Sequence, residues 1–165
     1  MKLRKVLTLI ILSGLFLFLS TAEANSQEPP PQPVTVSTVQ NLAFGVFYQG
    51  LSGGTVTIDA YGTRISGGSV VLLATGVYSV AIFDVYANSG TVISFLKPLS
   101  TLTDGSGNTM NIQIDDTNPS TPFVTTNPYS IATPVSMGGI LTVGSPASNP
   151  PGNYSGTFDI IFIQE

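Results

Sequence analysis

The chain has 165 residues, with Lys+Arg 5 against Asp+Glu 9, a formal net charge of −4, and no His, Cys or Trp. That inventory excludes an imidazole base, a thiolate nucleophile, a Cys/His zinc site and a disulfide framework. Charged residues make up 8% of the chain where about a quarter is usual, so any activity rests on carboxylates, hydroxyls, two late cations or surface shape.

The first segment reads as an address. Lys2, Arg4 and Lys5 precede an uncharged run from Val6 to Leu19, and Ala22-Glu23-Ala24 follows. A cationic start, an apolar run and small residues are the plan of a secretory signal, expected over residues 1–24. The apolar run of 14 residues is shorter than the roughly 18 to 20 needed to span a bilayer, which disfavours an uncleaved anchor and predicts no membrane span after cleavage. The expected destination is the periplasm, the cell surface or the medium. Cleavage after Ala24 leaves Arg64 and Lys97 against eight acids, a net of −6. Two cations cannot form a phosphate-binding face, so neither nucleic acid nor an anionic membrane is an expected partner.

Residues 25–33 hold four prolines and no apolar run, and read as an extended leader. A single domain is expected over residues 34–165. There, β-branched and aromatic residues recur in short runs between Gly, Pro, Asn and Ser clusters, the pattern of an antiparallel all-β domain. Strands are predicted at Val34–Val39, Ala43–Tyr48, Thr55–Ala60, Ser69–Leu73, Tyr78–Tyr86, Thr91–Leu96, Met110–Asp115, Ile140–Val143 and Tyr154–Ile163. Gly53-Gly54, Gly67-Gly68 and Gly138-Gly139 each open an apolar run, and are read as turns needing positive φ. In the last strand Tyr154, Gly156, Phe158, Ile160 and Phe162 alternate onto one face, while Ile161 and Ile163 make its end apolar on both sides and predict burial there. Many short strands without a helical period predict two sheets packed as a β-sandwich. Pro29–Pro33, Pro146 and Pro150-Pro151 are read as protection for its edges.

The order of motifs resembles a secreted bacterial family, domain-of-unknown-function family 4402, itself distantly similar to spore-coat-protein-U-type and fimbrial subunits. The resemblance runs from about Asn41 to Ile163. It rests on Leu42-Ala43-Phe44-Gly45, Gly54-Thr55-Val56-Thr57-Ile58-Asp59 with Gly62-Thr63-Arg64, Ala81-Ile82-Phe83-Asp84-Val85, Met137-Gly138-Gly139-Ile140-Leu141-Thr142-Val143 and Gly152-Asn153-Tyr154-Ser155-Gly156-Thr157-Phe158. It implies an immunoglobulin-like or pilin-like sandwich used in surface structures, with no catalytic residues attached. Gly152, fourteenth from the C-terminus and followed by alternating Phe158, Ile160 and Phe162, is similar to the terminal strand of pilins handled by periplasmic chaperones.

The chemical candidates are few. Asp115-Asp116 is the one adjacent acid pair, but neighbours in a strand face opposite ways, whereas a glycosidase needs two carboxylates converging on one bond. Asp104-Gly105-Ser106-Gly107-Asn108, with Asp115 twelfth, faintly follows a calcium loop; Thr109 stands where that loop needs Gly, so a hairpin turn is favoured and a loose calcium site is the alternative. Lys97 is the one amine left to activate a hydroxyl, and Pro98 behind it marks a strand end. Tyr48, Tyr61, Tyr78, Tyr86 and Tyr129 offer rings for a sugar-stacking platform or for core packing.

The function expected is therefore a secreted, non-enzymatic structural protein of the bacterial surface, fimbria-like or coat-like, with no catalytic residue, cofactor or metal. Its partners would be copies of itself or other surface subunits, with a periplasmic chaperone. A carbohydrate or surface-polymer binding module is the alternative.

Overall fold

The computed structural model describes residues 32–165 apart from Pro98. The expected signal and the leader up to residue 31 lie outside the described residues. Among those described, the regular elements are all strands: β1 (Thr35–Gln40), β2 (Ala43–Phe44), β3 (Phe47–Ile58), β4 (Arg64–Leu72), β5 (Tyr78–Ser79), β6 (Ala81–Tyr86), β7 (Val92–Leu96), β8 (Leu99–Thr103), β9 (Thr109–Asn118), β10 (Phe123–Val124), β11 (Thr133–Val143) and β12 (Ile161–Gln164). The fold is all-β and antiparallel, in a sandwich-like arrangement.

β11 is the hub. One of its edges carries β9, from Ser136↔Asn118 to Thr142↔Asn111. The other edge is shared in series: β6 pairs with Thr133–Met137, then β3 takes over at Gly139–Val143. β1 extends the sheet beyond β6, β4 beyond β3 and β8 beyond β9, giving seven strands. Period-two alternation sets which face is inside: Val135, Met137, Leu141 and Val143 of β11 are buried, as are Met110, Ile112 and Ile114 of β9. A three-stranded sheet in the order β10-β7-β12 forms the covering layer. Phe83 of β6 meets Phe162 of β12 edge-on at 5.9 Å, and Phe162 meets Phe95 of β7 at 5.5 Å, so a ring cluster joins the two layers.

Several sequence expectations need correction. The Gly-Gly pairs lie inside strands rather than in turns. Gly53, Gly54 and Gly68 do take positive φ, but at a bulge where β3 spends five positions, Gln49 to Gly54, against two on β4, Val70 to Gly68. This bulge lets β3 run unbroken through the predicted gap between Tyr48 and Thr55, with Leu51 at its tip 90% exposed. Gly138 needs no unusual φ; a Cβ there would collide with the Ile58 carbonyl, because β3 ends where β11 changes partner. β8 and β10 were not foreseen, since Leu-Ser-Thr-Leu-Thr and Phe-Val are too short or too polar to stand out. The last strand is β12 alone, shorter than Tyr154–Ile163, and Ile161 and Ile163 are 58% and 39% exposed. They face solvent because β12 is an edge strand whose one inner face already holds Phe162. β1, predicted at Val34–Val39, pairs with β6.

The close approach at Gly138 is testable. Gly138→Ala is expected to lower stability in urea by about 3 kcal/mol at unchanged slope, the range for forcing atoms into a packed core. Gly152→Ala, whose Cβ would find its nearest neighbour at 3.9 Å, should stay within about 0.5 kcal/mol of the parent.

Candidate functional site

The covering layer is smaller than the sheet it covers, and a groove of about 820 Å³ opens beside it. Its floor is the inner face of the large sheet, with Ala81 and Phe83 from β6, Leu102 from β8, Met110 and Ile112 from β9 and Leu141 from β11. One wall runs from Thr38 through β2 to Gln49, and the other from Pro150 to Phe158. No Lys, Arg, Asp or Glu lines it.

Asn149 fixes the second wall. It is a buried polar residue, 5% exposed, with every group bonded. Its Oδ1 accepts from the Gly144 N–H at 2.6 Å, its Nδ2 donates to the Thr109 carbonyl at 2.7 Å, its own N–H donates to the Ser145 carbonyl at 2.8 Å, and its carbonyl accepts from the Gln49 side chain. One residue thereby ties the loop after β11 to β9 and β3. Tyr154 adds a bond from its hydroxyl to the Pro150 carbonyl at 2.9 Å. Desolvation, aided by the Asp104 charge, raises the pKa of that phenol above its usual value. On the first wall the Gln40 side chain donates to the Val80 carbonyl at 2.8 Å. Amide groups at the groove therefore hold the frame.

The nominated chemical residues are dispersed. Asp115 and Asp116 occupy a bulge in β9, which advances three residues from Ile114 to Thr117 against two on β11, so both are exposed. The Asp116 Oδ2 accepts from the Ala60 N–H at 3.0 Å, and the Lys97 ammonium donates to the Asp115 carbonyl. The Asp116 carboxylate and the Lys97 ammonium thus have backbone partners, the Asp115 side chain is exposed, and none of the three lines the groove. Asp104 closes the β8–β9 hairpin: Oδ1 accepts from the Ser106 N–H at 2.8 Å, and Oδ2 from the Asn108 side chain at 2.6 Å. Asp115 stands at the far end of β9, roughly 20 Å along the strand at about 3.3 Å per residue, so the two cannot share a cation. Among the described residues no three carboxylates gather into a cation site.

Of the tyrosines, Tyr61 stands 78% exposed on the turn after β3, and Tyr129 bonds through its hydroxyl to Thr35 and to the Pro33 carbonyl. Tyr78 is stacked under Arg64, whose guanidinium lies 5.3 Å from the ring centre and donates to the Leu73 and Val46 carbonyls. Tyr48, 54% exposed, belongs to the groove, with Tyr154 in the opposite wall. The sequence offered no sign of Asn149 as a clamp: an Asn before two prolines reads as a turn residue until its partners are seen.

The family model described as Domain of unknown function (DUF4402) matches residues 34–163, which is most of the chain. The chain belongs to the DUF4402 family. No curated protein and no solved structure matches it. Within the DUF4402 domain the matched span takes in both walls and the whole floor of the groove.

Asn149→Ala would leave the Gly144 N–H and the Thr109 carbonyl unpaired in a buried place, and an unfolding free energy lower by about 2 kcal/mol, read by urea denaturation, is expected. The two carboxylate-capped turns give a pH signature. Bonding to the Asn108 side chain, then to the Ser106 N–H, lowers the Asp104 pKa; bonding to Thr63, then Tyr61, lowers that of Asp59. A carboxylate with a depressed folded pKa stabilises above its unfolded value, about 3.9, and that contribution is lost as pH falls through the folded value. Asp104→Asn combined with Asp59→Asn should therefore flatten the acid limb of the stability curve below about pH 4, read by thermal unfolding from pH 2 to 7.

Proposed function

We propose that this DUF4402 chain is a secreted, non-enzymatic structural subunit of the bacterial cell surface, fimbria-like or coat-like, that associates with copies of itself or with related subunits. The observation that carries the reading is the state of its sheet edges. β1, β4 and β12 each pair on one side only. Along or beside those edges Val39, Ile65, Val71, Ile161 and Ile163 are exposed, and Leu96 and Ile161 form an exposed cross-strand pair. A monomer that must stay apart blunts such edges with lysines or inward charges. Here the two cations of the described residues, Arg64 and Lys97, are both engaged with backbone carbonyls. Exposed apolar residues on unguarded edges favour a protein whose surface is meant to be covered.

The alternative, a carbohydrate or surface-polymer binding module, draws on Tyr48 and Tyr154 across the groove. It predicts saturable binding on a glycan array that weakens on Tyr48→Ala, and flat binding removes it.

Light scattering on the purified processed chain over a hundredfold range of concentration decides the leading reading. Oligomers that grow with concentration and shrink when Ile161→Lys and Ile163→Lys are introduced together are expected. A concentration-independent monomer would overturn it.

A further inference from the structure

The ribbon made by the start of β3 and the end of β4 is apolar on both faces. Phe47 and Leu72 are directly opposed and pack against the core, and Val70 is buried beside them. Alternation turns their neighbours outward: Tyr48 opposes Val71, and Val46 lies beside Leu73, whose N–H donates to the Val46 carbonyl at 3.0 Å. The loop before β5 completes this outer face. A Cβ on Gly76 would stand 2.5 Å from the Val46 side chain, so the loop lies against Val46, and Val77 and Tyr78 follow. Tyr48 and Tyr78 are 54% and 49% exposed, Val77 is 82% exposed, and Val46, Val71 and Leu73 are exposed as well. The outward positions of β9 are Thr109, Asn111 and Gln113, the polar set that water favours. The outer face at Tyr48 and Val71 breaks that rule. It also carries no charge of its own: residues 41–49 and 70–79 contain no Asp, Glu, Lys or Arg, in a chain of net charge −4. The cation that touches it, Arg64, is held by the Val46 and Leu73 carbonyls and the Tyr78 ring, and its Nε is shut off from water.

We propose that this face is a two-fold contact through which two copies of the chain pair, sheet face on sheet face. In such a contact the same patch serves both partners, so it must tolerate its own copy. The face around Tyr48 and Val71 does: it is neutral in an acidic protein, and a second copy brings no like charge against it. The other exposed apolar strip, Leu96 with Ile161 and Ile163, lies between Asp159 and Glu165 in the chain, and a two-fold contact there would gather carboxylates. Size agrees with the assignment. The exposed parts of the six side chains amount to roughly 550 Å², the upper range for a patch on a monomer. A pair then buries roughly 1,000 Å² in all, the lower limit for a specific interface, which gives a reversible dimer with a dissociation constant of roughly 10–100 µM. Tyr48 and Tyr78 supply much of that area at little side-chain entropy. Ladder bonds play no part, since the contact is made by side chains on a face. The inference rests on the structural-subunit reading and names one of its contacts: a two-fold pair closes on itself, and a different contact along β12 lets pairs join into larger assemblies.

Sedimentation velocity is run on the processed chain carrying Ile161→Lys and Ile163→Lys, which block the β12 contact, at concentrations from about tenfold below to tenfold above the expected constant. A monomer–dimer equilibrium that stops at the dimer is expected. Adding Val71→Lys or, in a separate chain, Val77→Lys puts an ammonium into the contact with no counter-charge, and each should weaken pairing about tenfold or more. Both side chains are exposed, so the thermal midpoint should stay that of the edge-blocked parent. Leu99→Lys, at an 80% exposed position on β8, should leave pairing unchanged. A monomer at every concentration, growth past the dimer, a dimer that survives both face substitutions, or an equal loss with Leu99→Lys would overturn the proposal. The two readings fail separately: a parent chain that grows while the edge-blocked chain stays monomeric keeps the subunit and loses the face, and a parent chain that stops at the dimer does the reverse.

Discussion

Everything in this fold hangs on the crossing of β11 past the end of β3. β11 runs through three ladders, and the hand-over from β6 to β3 along one edge takes place at Gly138, directly against the Ile58 carbonyl. A side chain at that point would push β3 away. With β3 displaced, Val56 and Ile58, both fully buried, would lose their places beside Leu141 and Gly139 of β11. Because the large sheet is held together through this single strand, the floor of the groove inherits its shape from the same crossing: Ala81 comes from the β6 side and Met110 and Ile112 from the β9 side.

The class of the fold was legible in the sequence because it depends on local signals. Alternation in Met110–Ile114 and Ala81–Val85 and the lack of any helical period point to half-buried strands, and both runs bury the expected faces. What could not be read depends on partners distant in sequence. Nothing local distinguishes a glycine that turns the chain from one, like Gly138, that makes room for another strand's carbonyl. Likewise Ile161 and Ile163 look like core residues in the sequence, and only the sheet order shows that their side faces outward. The groove was the least accessible of all, because it is a region where strands are missing from the covering layer, and a missing strand has no sequence of its own.

The polar residues of this domain are used for geometry. Asp59 and Asp104 close turns, Asp116 receives a backbone N–H from the end of β3, and Asn149 clamps a loop. Arg64 and Lys97 likewise bond backbone carbonyls, so most of the few charges hold the backbone in position. The surface left over is largely uncharged, apolar along its strand edges and continuous with an uncharged groove, which is why contact between polypeptides rather than chemistry on a small molecule is the reading that fits it.

The position of β11 in the chain also governs when the domain can exist. Residues 133–143 close ladders with segments that begin up to ninety residues earlier in β3, and with β6 and β9 in between. Until they are available, β3, β6 and β9 have no common neighbour, and the earlier strands are left as separate pairs, β1 with β6, β3 with β4 and β8 with β9. Such long-range closure is slow, because loop entropy must be lost before the contacts that reward it form. Folding of the large sheet thus waits until β11 has been made, and the strands before it stay unjoined until then.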